Sequence, residues 1–447
     1  MASTYLTRQI TGAGTNQTKG TISLWVKVGN IGSDQRFFSY ENTSVANNIT
    51  VFKFYGLAGG SMGIQFADQT GGSNNARFDG TRALRDCFGW YNFVAKWDTT
   101  QSTNTDRLKI FINGELQTST HGSYTYPSED ATLNVGHNSN AYIDIGRWRG
   151  SNNQYFDGCM SHFHYCDGYA YDASSFGSIN ATTGEWSINT SPSVSYGTNG
   201  VFLKMEDSSN MDLDSSSNAH TMTTSGTFTP TIDNPSHLFA SLNATWTDAG
   251  MTFSNGNNTV QWTGDNKTCR TTIGMEKGKY YCEFKVINNV GAGIQAAIVD
   301  DTILPSTYAH NGAGGHTYRD TTGNKYKNGV SASYGNSYTT NDIVGIAYDA
   351  DNGTLWFSKN GTWQNSATIA EIGAGTTTNA AYTGITGIKF YGASGYAGDD
   401  KIAWNFGQGY FGTTAISSAG TNASSIGSFE YDCPENFTAL TTKGLNE

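Results

Sequence analysis

The stretch "DRLKIFINGELQTS", residues 106–119, sets Asn113-Gly114 between two apolar runs. Asn-Gly accepts the positive φ angles of a two-residue turn, so this pair closes a β-hairpin. The pattern recurs along the chain. "GTISLWVKV" (20–28) puts Ile22, Leu24, Val26 and Val28 on one face, the period of a half-buried strand. "TVFKFYG", "MGIQFA", "WYNFVAKW", "AYIDIGRW" and "FDGCMSHFHYC" read the same way. A second series starts near Trp246 with "NTVQWTG", "CRTTIG", "KYYCEFKVI", "GIQAAIVD", "NDIVGIAYD", "GTLWFSKNG", "GIKFYG" and "KIAWNFG". Short strands joined by Gly/Asn turns, in two series, predict an all-β chain of two antiparallel sandwiches.

Composition closes off other classes. Of 447 residues only 14% are charged, while 13% are aromatic and 54 are glycine. That profile suits strands and turns, and no window holds a helical stripe or heptads. Net charge is −11 without a Lys/Arg run, so no nucleic-acid partner is expected. No run of about 18 apolar residues exists, and no membrane insertion is expected. The opening "MASTYLTRQITGAG" lacks the basic and apolar regions of a secretory signal, which predicts synthesis and folding in a host cytoplasm.

The six cysteines, Cys87, Cys159, Cys166, Cys269, Cys282 and Cys433, have no metal-type spacing. Cys159 and Cys166 lie roughly 23 Å apart along one strand and cannot bridge. Cys269 and Cys282 fall on neighbouring strands, but a cytosolic origin favours reduced, mostly buried thiols.

Some of these stretches resemble known families. "GTISLWVKV", "WYNFVAKWDTT", "DRLKIFINGE" and "YFDGCMSHFHYCDG" resemble, in that order, the laminin-G/concanavalin A-like family over residues 5–177. "GKYYCEFKV" and "DIVGIAYDADNGTLWFSKNGTW" resemble the SPRY family over residues 249–407. The two together, and the tail "FEYDCPENFTALTTKGLN", resemble virion proteins of tailed bacteriophages. In the laminin-G-like pattern an apolar strand and a Ser/Asn turn come first. Here "GVFLKMEDSSNMDLDSSSNAHTMTTSG" supplies them after the rest of the domain. The resemblance implies a permuted first sandwich with its last strands at about 200–225, Val201, Leu203 and Met205 pointing inward. A Ser-rich flexible linker is the competing reading of this stretch. The expected division is 1–235 for the first sandwich, 236–408 for the second and 409–447 for a C-terminal docking tail. Phe429, Tyr431, Pro434, Phe437 and Leu440 make that tail too apolar to be free; it is expected against the first sandwich or a neighbouring subunit.

Catalytic sets are scarce. Glycosidases of the concanavalin A-like fold carry carboxylates along one strand, and retaining hydrolysis needs two about 5.5 Å apart. "YIDIG" keeps only Asp144, with Tyr142 and Gly146 in the flanking positions. "HFHYC" aligns His162, His164 and Cys166 on one strand face, without a further ligand to complete a zinc set. "DLDSSSNA" starts like a calcium loop but lacks its glycine and its final glutamate. A weaker calcium site of Asp207, Asp212 and Asp214 competes with plain turn-forming side chains; no other cofactor is expected. The turn at Asp349, Asp351 and Asn352 reads as a hairpin turn.

Candidate ligand-binding residues are aromatic and polar groups in loops. "STYAHNGAGGHTYRD" offers Tyr308, His310, His316, Tyr318 and Arg319; "YGASGYAGDD" offers Tyr396; "GRWRGSNNQYF" offers Arg147, Trp148, Arg149 and Tyr155. Aromatic faces stack on sugar rings, and loops at sandwich ends often recognise ligands. Covering a sheet edge is the competing role for such aromatics. The expectation is a non-enzymatic, multicopy or homo-oligomeric virion protein on a fibre, tail or capsid surface. Its partners would be other virion proteins and a host-surface glycan or protein. The alternative is a secreted carbohydrate-binding module or glycan-processing enzyme.

Overall fold

The computed structural model describes residues 4–57, 60–118, 120–135, 140–291, 293–396 and 398–446. The chain divides into two compact units, Met1–Pro230 and Thr231–Glu447.

The first unit contains β1 (Tyr5–Ile10), β2 (Lys19–Val28), β3 (Gln35–Asn42), β4 (Ile49–Leu57), β5 (Ser61–Thr70), β6 (Ser73–Gly80), β7 (Trp90–Asp98), β8 (Leu108–Ile112), β9 (Glu115–Leu116), β10 (Thr120–Thr125), β11 (Ala141–Ile145), β12 (Gly158–Asp167), β13 (Gly177–Ile179), β14 (Trp186–Ile188), β15 (Val201–Leu203) and β16 (Thr223–Ser225). One sheet runs β10-β6-β5-β4-β3-β11-β1-β16; the facing sheet runs β15-β12-β2-β7-β8-β9. Alternate residues of both sheets, among them Leu24, Phe38, Phe66, Trp97, Ile143 and Phe163, meet in one core. The hairpin at Asn113-Gly114 joins β8 to β9, and both residues have positive φ.

The stretch after residue 200 belongs to this sandwich. β15 pairs with β12, setting Leu203 opposite Phe163, and β16 pairs with β1. Val201 and Leu203 are fully buried in the core and Met205 packs against it. One edge of each sheet, β15 and β16, is therefore a strand distant in sequence from the strand it pairs with.

The second unit contains β17 (Met251–Ser254), β18 (Thr259–Trp262), β19 (Lys267–Arg270), β20 (Lys279–Asn288), β21 (Gln295–Val299), β22 (His316–Arg319), β23 (Lys325–Lys327), β24 (Val330–Ala332), β25 (Ile343–Asp349), β26 (Thr354–Lys359), β27 (Thr362–Trp363), the short helix α1 (Ile369–Gly373), β28 (Phe390–Gly395), β29 (Asp400–Asn405), β30 (Tyr410–Phe411), β31 (Thr414–Ala415) and β32 (Thr438–Ala439). One sheet follows β17-β18-β29-β20-β25-β26-β27, and the other β19-β28-β21-β22-β23-β24. Trp262, Phe284, Ile298, Tyr318, Tyr391 and Trp404 fill the space between them. The chain is thus all-β, two antiparallel sandwiches in tandem. At the Asp349 turn, Asn352 N–H donates to Asp349 Oδ1 at 3.0 Å, closing β25 onto β26.

The C-terminal segment corrects the expectation of docking on the first sandwich or another subunit. Phe429, Cys433 and Phe437 pack with Tyr281, Trp356 and Trp363 on the outer face of the second sandwich. β32 adds to β20 in parallel. The reason is the composition of that face: strand alternation leaves Tyr281, Ala347 and Trp356 pointing away from the core, and burying them is favourable at about 25 cal/mol per Å². The tail is therefore a layer of the second unit, Thr231–Glu447.

Candidate functional site

β21 and β22 run antiparallel with Gln295 opposite Arg319 and Ala296 opposite Tyr318. Ala296 and Tyr318 face the core, so Gln295 and Arg319 face outward. Across this outer face lies the loop before β22. Ile303 and Ala309 pack on Ala297 and Val299. The loop is pinned on both sides of Tyr308: Thr268 Oγ1 donates to the Thr307 carbonyl, and Ala309 N–H donates to Ser394 Oγ at 2.9 Å.

Pinning the loop brings an aromatic group together. The Tyr308 ring stacks on Tyr396 at 6.3 Å with 9° between planes and lies 5.1 Å from the His310 ring. His310 Nδ1 is 3.0 Å from Gln295 Oε1, and its ring lies 5.4 Å from Tyr326. The Arg319 guanidinium sits 5.8 Å from the Tyr326 ring. Burial, reinforced by Arg319, lowers the His310 pKa and keeps the imidazole neutral at pH 7. Burial raises that of the Tyr308 phenol.

Two carboxylates fix the adjoining rim. Asp400 Oδ1 accepts the N–H groups of Val290 and Gly291, both at 2.8 Å, and Oδ2 accepts that of Tyr396 at 3.3 Å. Asp320 accepts the N–H groups of Thr321 and Ile294 at 2.6 and 3.1 Å. Desolvation raises the pKa of both acids, and the backbone donors oppose that shift. The rim they hold presents Val290, 65% exposed, and Tyr396, 41% exposed.

Tyr308, His310, Arg319 and Tyr396, all sequence candidates, thus share one end of the second sandwich. Two others do not. His316 and Tyr318 occupy inward positions of β22, opposite Ile298 and Ala296, and are 2% and 0% exposed. The Tyr318 hydroxyl donates to the Asn336 carbonyl, and burial lowers the His316 pKa to about 3. Both are packing residues, because a strand alternates sides and Arg319 takes the outward position beside Tyr318. Gln295 and Tyr326 went unnoticed; an isolated polar residue in the apolar run "GIQAAIVD" was the available signal.

The first sandwich carries a second cluster. Residues 146–156 fold back over the outer face of β3, β11 and β1, where Trp148 and Asn153 form a tight hairpin, with the Trp148 N–H donating to the Asn153 carbonyl at 2.8 Å. Ser39 Oγ donates to the Arg147 carbonyl at 2.9 Å, and Gly150 N–H donates to Glu41 at 2.9 Å. Arg147 stacks on Tyr5 at 3.5 Å and Arg149 on Tyr142 at 3.7 Å. Both arginines pair with the buried Asp144, at 3.1 and 2.7 Å. Tyr155 donates to Asn152 Oδ1 at 2.8 Å. Arg147 is consequently buried, its guanidinium held by Asp144, Asn152 and Tyr5. Trp148 covers Arg36 at 4.2 Å, a residue sequence reading passed over.

In the acidic turn, Asp207, Asp212 and Asp214 are engaged separately. Asp214 is buried and accepts the N–H groups of Phe202, Ser216 and His220 at 2.8–2.9 Å. Asp207 accepts from Ser209, and Asp212 from Thr224. Among the described residues no group of three His, Cys, Asp or Glu side chains could hold a metal ion. The acids are turn-builders: backbone N–H groups and the Ser209 and Thr224 hydroxyls bond their oxygens. His164 packs between Phe176 and Phe202 and donates to or accepts from Tyr196 at 2.9 Å, while a bulge separates it from His162, whose φ is +46°. None of the six cysteines forms a disulfide.

With this geometry in hand, similarity to known proteins falls into the two units. Residues 3–170 match the concanavalin A-like lectin/glucanases superfamily, and residues 305–408 match the SPRY domain. The chain therefore contains a domain of each kind. A stretch of 105 residues, 23% of this chain, is 35% identical to ATP-dependent RNA helicase DDX1 of Xenopus laevis. Another of 125 residues, 24% of this chain, is 27% identical to Ran-binding protein 9 of Danio rerio. The chain spans 12% and 20% of the length of these relatives. Among solved structures, the SPRY domain of human HERC1 is 18% identical with a TM-score of 0.28, covering 34% of this chain and 91% of that one. A heptameric SAP-like pentraxin of Limulus polyphemus is 13% identical with a TM-score of 0.32, covering 51% and 90%.

Proposed function

We propose that this protein is a non-catalytic recognition protein that binds a host-surface glycan or protein through the rim of its second sandwich. The observation that carries the reading is the convergence of Tyr308, His310, Arg319, Tyr326 and the exposed Tyr396 beside Val290. Exposed Tyr396 and half-buried Tyr326, His310 and Arg319 offer aromatic faces and directional donors, the mixture that recognition sites use, with buried Tyr308 and Gln295 supporting them from beneath. Asp320 and Asp400 hold the loops rigid before ligand arrives, which lowers the entropic cost of binding.

A catalytic role finds no support in the first sandwich. Asp144, the one carboxylate kept from the glycosidase-like pattern, is buried under two arginines and has no free oxygen for acid or nucleophile work. We place the protein on a bacteriophage virion, as a multicopy fibre, tail or capsid component. What supports this setting is the pairing of these two module types in one chain and the resemblance of the tail. Many copies would make weak single-site binding effective.

Two measurements test the proposal. On a glycan and host-envelope array, wild type should bind and Tyr396→Ala or Arg319→Ala should bind at least about tenfold more weakly with unchanged unfolding temperature. Equal binding by all three would remove the rim from the site. Electron microscopy of particles labelled against this protein should decorate virions; unlabelled virions would end the virion assignment.

A further inference from the structure

The second unit holds a cavity that shares no residue with the rim. It measures about 310 Å³ and is lined by Gly361, Trp363, Ala367, Ile369, Tyr431 and Asp432. Three pieces of chain meet there: the turn from β26 to β27, the approach to α1, and the C-terminal segment. Gly361 makes the turn with a φ of +76°, and a Cβ at this position would come within 2.6 Å of the Tyr431 ring. The bare backbone is therefore what admits the phenol. Tyr431 is anchored through its N–H, which donates to Glu283 at 2.9 Å. Trp363, on β27, is 8% exposed, and its ring lies 6.1 Å from that of Tyr281. Ile369, the first residue of α1, is 37% exposed. The volume is that of a small ligand pocket, and most of its lining is ring or hydrocarbon.

The charge at this cavity has one sign. Residues 360–388 and 402–442, which supply all of its lining, contain Glu371, Glu430, Asp432 and Glu435 and no lysine, arginine or histidine. Lys359, just before the turn, is bound to Asp342 and to the Ser337 carbonyl. Glu371 caps α1 through Thr368, and Glu430 accepts from Ser417. Asp432 is different. Its Oδ1 accepts the N–H and hydroxyl of Thr421 at 2.7 and 2.8 Å, while its Oδ2 has no hydrogen bond among the described residues. The Thr421 donors lower its pKa and keep it ionised. An exposed carboxylate oxygen beside Trp and Tyr rings calls for a cation. A primary ammonium needs acceptors for three N–H groups, and the lining side chains offer only this carboxylate and one phenol. A quaternary ammonium needs none, and it is attracted both by aromatic faces and by the carboxylate. The geometry points to this cavity as a binding site for a trimethylammonium group, the head shared by choline and trimethylated lysine. Its methyl groups lie against Trp363, Tyr431, Ala367 and Ile369, and Asp432 faces its charge. The site does not depend on the rim reading.

Calorimetry on the full chain tests the site with choline, its uncharged tert-butyl isostere, ethanolamine, phosphocholine and a peptide carrying trimethyl-lysine. Choline should bind at least about tenfold more tightly than the isostere and than ethanolamine. Phosphocholine should bind more weakly than choline, because its phosphate enters an acidic neighbourhood. Tighter binding of the peptide than of choline would identify methylated protein as the source of the group, and the reverse order free choline; each supports the site. Asp432→Asn should remove the preference for choline over its isostere. Ile369→Lys, which brings an internal ammonium to the cavity, should abolish choline binding. Both changes are at exposed positions and should leave the unfolding temperature within about 2 °C. Tyr396→Ala should bind choline as wild type does, so that failure of the rim and failure of this site are told apart. Absence of choline binding, equal binding of the isostere or ethanolamine, tighter binding of phosphocholine, or an unaltered preference in Asp432→Asn would each overturn the proposal.

Discussion

The Glu283 carboxylate accepts the backbone N–H of Tyr431 at 2.9 Å, joining a central strand of the second sandwich to the C-terminal segment that covers it. The same carboxylate also accepts the Glu430 N–H at 2.8 Å and the Tyr281 hydroxyl at 2.9 Å. Desolvation raises its pKa to about 7 against these donors. The folded state therefore holds this proton more tightly than the unfolded chain does. Its stabilising effect is complete below the ordinary value of 4.5 and declines as pH rises through 7, by about 3 kcal/mol at most. Glu283→Gln should flatten the pH dependence of the second unit's unfolding between pH 4.5 and 7. The check is the difference in unfolding temperature between wild type and variant at pH 5 and pH 8. A constant difference would show that Glu283 does not titrate in that range.

The tail should behave as part of the core it covers. Phe429 is 1% exposed and its ring lies 4.9 Å from that of Tyr281. Phe429→Ala should cost about 3–5 kcal/mol, a shift of very roughly 6–20 °C in the second unit's transition, with assembly state unchanged. Calorimetry and light scattering read both.

Removal of residues 200–225 should unfold the first unit and spare the second. A milder probe is Leu203→Ala, expected to cost about 2–5 kcal/mol, because Leu203 is fully buried opposite Phe163. An unchanged first transition would return this stretch to the status of a linker.

Asp144→Asn keeps the side-chain shape but leaves Arg147 and Arg149 without their counter-charge. Breaking a buried pair of this kind costs roughly 3–5 kcal/mol, and urea unfolding should report it in the first unit. Removing an ordinary surface carboxylate such as Glu115 should cost less than about 1 kcal/mol.

His316→Leu and Tyr396→Ala should separate packing from recognition. The first changes a buried position beside Tyr382 at 5.0 Å and should move stability without removing the rim. The second trims an exposed ring and should leave the unfolding temperature within about 1 °C while weakening rim binding.

Strands, turns and the two-sandwich architecture could be read from the chain itself. Ile22, Leu24 and Val26 alternate because one face of β2 must leave water, and Asn113-Gly114 turns because both residues tolerate positive φ. Alternation even contained the correction at β22: adjacent Tyr318 and Arg319 cannot point the same way, so at most one of them could meet a ligand. The apolar run at 201–203 was equally visible as a strand. Its partner β12 was not fixed by local pattern, since pairing depends on which edge remains open once the other strands have closed. The tail's apolar residues showed that it had to be buried, but not where. Only the assembled sheet, with Tyr281 and Trp356 facing outward, supplied a surface to receive it. Partnership was also a tertiary matter. Asp144 is bound to two arginines of the segment that turns back over its sheet, Asp214 is filled by backbone donors, and Glu283 is met by N–H groups of the distant tail. Residue types and their period determined the layers, since burial is a local property of alternate positions. The fate of each charge was decided by the three-dimensional neighbours that either satisfy it or leave it open.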